Sequence, residues 1–169
     1  MGLTVTPAQV LQQHRLNYPG MLPREIILFR EWLKLHEAEY DRIEYNVRIG
    51  AGVDPGPGWP DNTRQMAIAN TQLRIDAVAW KGNQPTIIEV KDRAGASAAG
   101  QLVTYEAVWE KDQMSSLPPK LLLISNRIQP NIAPLLIKAA ITLNLVAADF
   151  SILRTKPFFP GYKRGRPRP

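Results

Sequence analysis

Residues 73–91 constrain the fold of this chain most, because they form the pattern of two β-strands joined by a tight turn. Their sequence is LRIDAVAWKGNQPTIIEVK, and the Gly-Asn pair at positions 82–83 is favoured in two-residue hairpin turns. A hairpin centred on that pair places Asp76 opposite Glu89. Side chains alternate along a strand, so Glu89 and Lys91 share one face. Two acids and a lysine are therefore predicted to converge inside apolar strands, where burial without a purpose would be costly.

Helical and extended patterns alternate along the rest of the chain. The predicted elements are a short helix at about 7–16, a helix at 23–40, strands at 43–49 and 73–91, an extended piece at 63–69, a helix at 98–111 capped by Ser97, a buried strand at 121–125, a helix at 131–143 and a last strand at 145–150. This alternation predicts an α/β fold in which helices flank a mixed central sheet.

Length and composition fit one domain with an ordinary core. The chain has 169 residues and no cysteine, which excludes disulfides and thiol nucleophiles and fits a reducing, cytoplasmic location. Neither a membrane span nor a secretory signal is predicted. We divide the chain into an N-terminal extension at 1–22, a main domain at 23–154 and a basic, Pro/Arg-rich tail at 155–169.

The net charge of +6 comes entirely from the C-terminal end. Residues 151–169 hold six basic residues and no acid, which leaves residues 1–150 formally neutral. Two functions for the tail stay open: nonspecific binding of nucleic-acid phosphates, or anchoring in a protein assembly. The candidate tail residues are Lys163, Arg164, Arg166 and Arg168, with Phe158, Phe159 and Tyr162 as apolar contacts.

The charged residues of the hairpin suit a hard divalent cation. Mg²⁺ prefers one or two carboxylates plus waters and phosphate oxygens, which Asp76 and Glu89 would accommodate. The backbone carbonyl of Val90 could add a ligand. Lys91 would orient or deprotonate an attacking water, or offset charge on a phosphate, as phosphodiester hydrolysis requires. The alternative is a surface hairpin with ordinary charges, which the β-branched surroundings in IIEVK oppose.

These motifs resemble the PD-(D/E)xK nuclease superfamily, in which an acid ending one strand is followed by Glu-x-Lys on the next. The corresponding residues are Ile75-Asp76 and Glu89-Val90-Lys91. Ile75 stands where the motif has proline. The order helix, three strands, helix, strand, followed by a further helix and strand, is also similar to the superfamily's restriction-endonuclease-like core and covers about residues 23–150.

Two further features carry the resemblance. Gln101 and Tyr105 are similar to the Gln-x-x-x-Tyr motif of the RecB-like and λ-exonuclease-like branches, where these residues help to position substrate. In many members an acid on the first helix completes the metal site. Glu25 is the first candidate for that acid and Glu31 the second, and they lie on different helix faces.

The resemblance implies a Mg²⁺-dependent deoxyribonuclease, with Mn²⁺ able to substitute. A small stand-alone DNA-processing or phage-type enzyme is expected, located in the host cytoplasm or in a virion if phage-encoded. Exonuclease and endonuclease action both stay open. The alternative is a catalytically silent nuclease-fold subunit that binds DNA or serves a structural role in a larger assembly such as a virion.

The Gly- and Pro-rich segment at 50–62 is predicted to be a connecting loop. It lacks the Gly-Lys-Ser/Thr ending of a phosphate-binding P-loop. Asp54 and Asp61 within it are weaker candidates for a metal or substrate contact.

Overall fold

A computed structural model describes residues 3–12 and 18–155 of the chain. Its strands are β1 (Leu3–Val5), β2 (Arg42–Ile49), β3 (Leu73–Lys81), β4 (Gln84–Ala94), β5 (Lys120–Ile128) and β6 (Ile141–Leu145). Its helices are α1 (Pro7–Gln12), α2 (Pro23–His36), α3 (Asp61–Thr71), α4 (Ala96–Lys111), α5 (Ala133–Lys138) and α6 (Ile152–Thr155), with short 3₁₀ turns at Glu37–Glu39 and Pro130–Ile132.

The six strands form one mixed sheet in the order β1 to β6. Neighbours from β1 to β4 are antiparallel, whereas β4, β5 and β6 are parallel. Helix α2 covers one face and α4 covers the other. The predicted fold class is confirmed, with α2, β2, β3, β4, α4 and β5 in the order expected of a restriction-endonuclease-like core. Within the described residues, no helix combines the length and apolarity needed to cross a membrane.

The predicted hairpin is confirmed in its register. Trp80 pairs with Pro85 and Lys81 with Gln84, which leaves positions 82–83 as the two-residue loop. Gly82 has φ +54°, a left-handed conformation that glycine adopts without steric cost. The sheet places β4 between β3 and β5, so the strand that carries Glu89 and Lys91 is central.

Two apolar cores, one on each face of the sheet, bury β4 completely at its centre. Ile88 and Val90 pack with α2, whereas Ile87 packs with α4. On the α2 face, Phe29 and Trp32 fill the core and are at most 1% exposed. Because both faces are covered, any charged side chain on the middle of β4 must be enclosed by protein.

One predicted element is wrong in type: the extended piece at 63–69 is part of helix α3. No residue of α3 is buried, so this helix has no apolar stripe that the sequence could display. Pro60 directly before it is compatible with a helix start. The helix is an addition between β2 and β3 to the predicted order of elements.

The predicted helix at 131–143 and strand at 145–150 are also wrong in their boundaries. Helix α5 ends at Lys138, and β6 occupies Ile141–Leu145, where Ile141 pairs with Leu121. Ala140 turns the chain with φ +51°. Glycine is the usual residue at such a helix end, so an alanine there leaves no sequence signal for the stop.

Smaller differences concern the helix termini and the first residues. Gly95, not Ser97, is the N-cap of α4, so the predicted cap is wrong. Strand β1 was not predicted and pairs with β2 at the sheet edge. Helix α1 is described to Gln12, and its predicted end near Leu16 lies outside the described residues.

Replacing Ala140 by glycine should raise the free energy of unfolding by about 1 kcal/mol, because a left-handed backbone strains a residue with a Cβ. Urea unfolding followed by circular dichroism measures the change. Ala139→Gly is the matched control: its φ is −90°, so it should be neutral or destabilising. Equal effects of the two substitutions would contradict this account of the helix end.

Candidate active site

Three acidic side chains from three elements surround the ammonium group of Lys91. Its Nζ lies 2.6 Å from Glu89 Oε1, 3.5 Å from Glu25 Oε1 and 3.8 Å from Asp76 Oδ2. Glu25 comes from α2, Asp76 from β3, and Glu89 from β4 together with the lysine. The structure thus brings together the four residues that the sequence analysis named as catalytic candidates.

The end of the β3–β4 ladder positions Asp76. Backbone pairing between these strands runs from the turn to Ala77 and Ile88. Immediately beyond it, Asp76 Oδ2 accepts a hydrogen bond of 3.0 Å from the backbone N–H of Val90. A side chain therefore takes the place of a backbone partner, and the carboxylate is held against the neighbouring strand.

The first turn of α2 presents Glu25 to the same place. Its Oε2 accepts a hydrogen bond of 2.7 Å from the backbone N–H of Leu22, and the residue is 6% exposed. Glu31, the other candidate on this helix, pairs with Lys34 at the surface. Of the two acids, Glu25 faces the site and Glu31 does not.

Burial shifts the titration of the cluster. It raises the pKa of Asp76 to about 6 and that of Glu89 to about 7, and for Glu89 the negative charge of Asp76 adds to the rise. Burial alone would lower the pKa of Lys91, but the charges of Asp76 and Glu89 outweigh it and the pKa rises. Lys91 is therefore an ammonium ion at neutral pH, while the two carboxylates would gain from additional positive charge.

Glu89 fits a metal ligand because it is buried and its negative charge is only partly compensated. The residue is 1% exposed, and its Oε1 lies 2.6 Å from the ammonium group of Lys91. Its Oε2 has no hydrogen-bond partner. Lys91 is shared with Glu25 and Asp76, so a further cation would lower the cost of burying these carboxylates.

The backbone of Val90 adds a further oxygen. Its N–H points towards β3, where it donates to Asp76, and in an extended residue the carbonyl points the same way. In the described ranges, 3–12 and 18–155, no set of three or more His, Cys, Asp or Glu side chains is spaced to hold a metal ion. A cation here would therefore bind Asp76, Glu89 and the Val90 carbonyl and keep several waters, the coordination that Mg²⁺ favours.

Helix α4 contributes the tyrosine and glutamine of the predicted Gln-x-x-x-Tyr pair. Tyr105 Oη donates to the backbone carbonyl of Arg74 at 2.9 Å and accepts from Gln101 Nε2 at 3.3 Å. Burial raises the pKa of Tyr105 to about 12, with further contributions from the charges of Glu89 and Asp76. The hydroxyl stays protonated at neutral pH and ties α4 to β3 two residues before Asp76. Gln101 is exposed beside it.

Two polar residues at the site were not predicted. Asp92 pairs with Arg24 at 3.0 Å and so ties the first turn of α2 to β4, directly beside Lys91. Asn46 lies across from Asp76 in the β2–β3 register, has φ +50°, and carries a buried, unpartnered Oδ1. Neither belongs to a motif, and the Arg24–Asp92 contact joins distant parts of the chain, so no local pattern could reveal them.

The remaining candidates lie elsewhere. Asp54 and Asp61 both pair with Arg64 of α3, which accounts for their charges without a metal or substrate. The four tail candidates are outside the described residues: Lys163, Arg164, Arg166 and Arg168.

Comparisons with known proteins give only distant similarities. No family model matches the chain, and no curated protein matches it. A repair endonuclease from Pyrococcus abyssi superposes with a TM-score of 0.40 and 15% identity, over 45% of this chain and 34% of that one. A protein of unknown function, AF1548, superposes with a TM-score of 0.42 and 14% identity, over 69% of this chain and 56% of that one. The aligned part is thus about a third of the repair endonuclease and just over half of AF1548.

Without metal, the stability of the protein should fall as the pH rises from 5 to 8. Asp76 and Glu89 have raised pKa values, so the folded state holds their protons more tightly than the unfolded chain does. This stabilisation is complete below about pH 4 and is lost as the pH passes through 6 and 7. Thermal unfolding in EDTA should show a decrease of a few degrees.

The variant Glu89→Gln provides the control for this pH dependence. It removes one titrating group while keeping the shape of the side chain, so its melting temperature should change less between pH 5 and 8. A variant curve parallel to that of the unchanged protein would show that Glu89 does not titrate in this range.

Proposed function

We propose that the chain is a metal-dependent nuclease that hydrolyses phosphodiester bonds in DNA. The observation that carries the proposal is the cluster of three acids, Glu25, Asp76 and Glu89, around one ammonium group, in which the Oε2 atom of the buried Glu89 has no hydrogen-bond partner. Buried charges of this kind are characteristic of sites that bind cations or charged substrates. The Glu-x-Lys pattern on a central strand adds to this support.

Asp76, Glu89 and the carbonyl of Val90 would hold the metal, with Glu25 as an additional acid close to it. A bound Mg²⁺ or Mn²⁺ lowers the pKa of a coordinated water and offsets charge on the phosphate oxygens. Glu25 has one oxygen engaged with the backbone of Leu22, and its other oxygen faces Lys91. That second oxygen is available to accept a hydrogen bond from a water.

Lys91 acts in this proposal as a cation and hydrogen-bond donor. Its raised pKa opposes deprotonation, so Lys91 is poorly suited to act as a general base. The roles that suit an ammonium group are orienting the attacking water and offsetting charge on the phosphate. The side chain is held by carboxylates on three sides and remains partly exposed, with 29% of its surface accessible. It can therefore donate to a phosphate oxygen or orient the attacking water from the open side.

Gln101 and Tyr105 are proposed to position the substrate beside this cluster. Tyr105 is buried and already engaged with the carbonyl of Arg74, so its contribution is to fix the edge of the site. Gln101 is exposed and has an amide group that can reach a sugar or a phosphate. The tail is proposed to bind DNA phosphates or a protein partner.

A catalytically silent subunit is the second candidate function. One observation favours it: all three acids already lie within 4 Å of Lys91, so the charges of the cluster are partly compensated within the protein. A purely structural role would leave the cluster without activity towards DNA under any metal condition. The nuclease assay therefore separates the two candidates.

With Mg²⁺ or Mn²⁺, the purified chain should cleave linear, nicked, branched or single-stranded DNA, and EDTA should abolish the cleavage. Asp76→Asn and Lys91→Ala should each lower the rate by about 10²-fold or more, because each removes a charged group at the reacting phosphate. Lys81→Ala is the matched control, since Lys81 pairs with Asp41 at the far end of the sheet. Circular dichroism verifies folding. Metal-independent cleavage, or full activity in both site variants, would refute the mechanism.

The two glutamates of α2 form a matched pair for a second test. Glu25→Gln should lower the cleavage rate by about 10-fold or more and raise the metal concentration needed for half-maximal cleavage, because Glu25 adds a negative charge beside the proposed metal ligands. Glu31→Gln should leave both unchanged, since Glu31 pairs only with the surface residue Lys34. Equal effects of the two substitutions would show that Glu25 does not belong to the site.

A further inference from the structure

Four arginines stand at the end of the sheet that contains the candidate site. At this end of the sheet β2, β4 and β5 finish and β3 begins. The reason is that β3 runs antiparallel to both β2 and β4, whereas β5 runs parallel to β4. The register pairs the arginines across neighbouring strands, in β2 with β3 and in β4 with β5. We call this set the arginine row: Arg48 with Arg74, and Arg93 with Arg127.

The arginine row has no internal counter-charge. All four side chains are exposed, and none forms a hydrogen bond or ion pair with another described residue. Other arginines differ: Arg24, Arg42 and Arg64 each pair with an acid. Like charges directly opposite each other on adjacent strands are destabilising, and here two such pairs occur together. An anion bound across the row would remove this repulsion.

The arginine row flanks the carboxylate–lysine cluster along the chain. Arg74 precedes Asp76 by two residues, and Arg93 follows Lys91 by two residues. The hydrogen bond from Tyr105 to the carbonyl of Arg74 fixes the backbone of the first pair beside the site. An extended anion that lies along the row would therefore pass the cluster between the two arginine pairs.

We propose that the arginine row binds the sugar–phosphate backbone of the DNA strand whose phosphodiester enters the candidate site. The proposal rests on the proposed function for the identity of the polymer. Neighbouring strands are about 4.8 Å apart, so the two arginines of each pair stand about 5 Å from each other, and the second pair lies about two residues further along the strands than the first. A DNA strand advances about 3.4 Å along the helix axis per phosphate, so the arginine row spans several phosphates of one strand. The planar guanidinium group matches phosphate oxygens in a bidentate manner.

The test is the salt dependence of DNA binding. A fluorescein-labelled 20-base-pair duplex is titrated in EDTA, which prevents metal-dependent cleavage, and the affinity is followed by fluorescence anisotropy between 50 and 200 mM salt. Over this range of salt concentration, protein–phosphate contacts weaken strongly. Changing all four arginines to glutamine should reduce the slope of log affinity against log salt by about 3 to 4, since each phosphate contact contributes about 0.9.

Single variants and controls locate the effect. Each of the changes Arg48→Gln, Arg74→Gln, Arg93→Gln and Arg127→Gln should lower the slope by about 1. Arg42→Gln and Lys120→Gln, at the opposite end of the sheet, should leave it unchanged. The basic tail is present in every protein compared, so its contribution cancels in the differences. Melting temperatures of the row variants should be equal to or above that of the unchanged protein, because the substitutions remove like-charge repulsion.

The outcomes separate this proposal from the proposed function. An unchanged slope in the fourfold variant overturns the arginine row as a DNA-binding surface, even if the chain cleaves DNA through Asp76. A reduced slope without hydrolysis under any metal supports the binding surface and refutes the nuclease. In an active enzyme, the row variants should raise KM more than they lower kcat, and a change confined to kcat also overturns the proposal.

Discussion

The hydrogen bond from the backbone N–H of Val90 to Asp76 is the interaction on which the site depends. It closes the β3–β4 pair just where regular pairing ends, so a carboxylate stands at the point where the two strands begin to separate. The same contact turns the carbonyl of Val90 towards β3. One hydrogen bond thus sets the place of an acid and of a backbone oxygen, and the alternation of β4 then places Glu89 and Lys91 beside them.

The change of strand direction at β4 explains why the site is located there. This strand has an antiparallel neighbour on one side and a parallel neighbour on the other. Its backbone groups consequently alternate between two different partners: Val90 faces Asp76, whereas the carbonyl of Lys91 accepts from the hydroxyl of Ser125 on β5. The arginine row lies along the same end of the sheet.

Features carried by local patterns could be predicted from the sequence. The turn at 82–83 and the alternation of IIEVK set the register of the hairpin, and Glu25 could be placed near a helix start by the proline before it. What could not be predicted depends on contacts between distant segments. The surface helix α3 buries no residue and so has no apolar period, and Ala140 ends α5 with a residue that normally continues a helix. Asn46 and Asp92 acquire their positions only when β2 and α2 meet the hairpin.

The two carboxylate oxygens of Glu25 contact different groups, one at the start of α2 and one in the candidate site. The position of this acid in the site therefore depends on the first turn of α2. One oxygen satisfies the backbone N–H of Leu22 ahead of the first turn of α2, and the other faces Lys91. Leu22 itself has no side-chain oxygen that could cap the free N–H groups of the first turn, so Glu25 supplies the side-chain contact at this helix start. Local opening of the first turn would therefore withdraw an acid from the cluster. A substitution that loosens only this helix end would resemble an active-site defect in an activity assay, although it touches no group that meets the substrate.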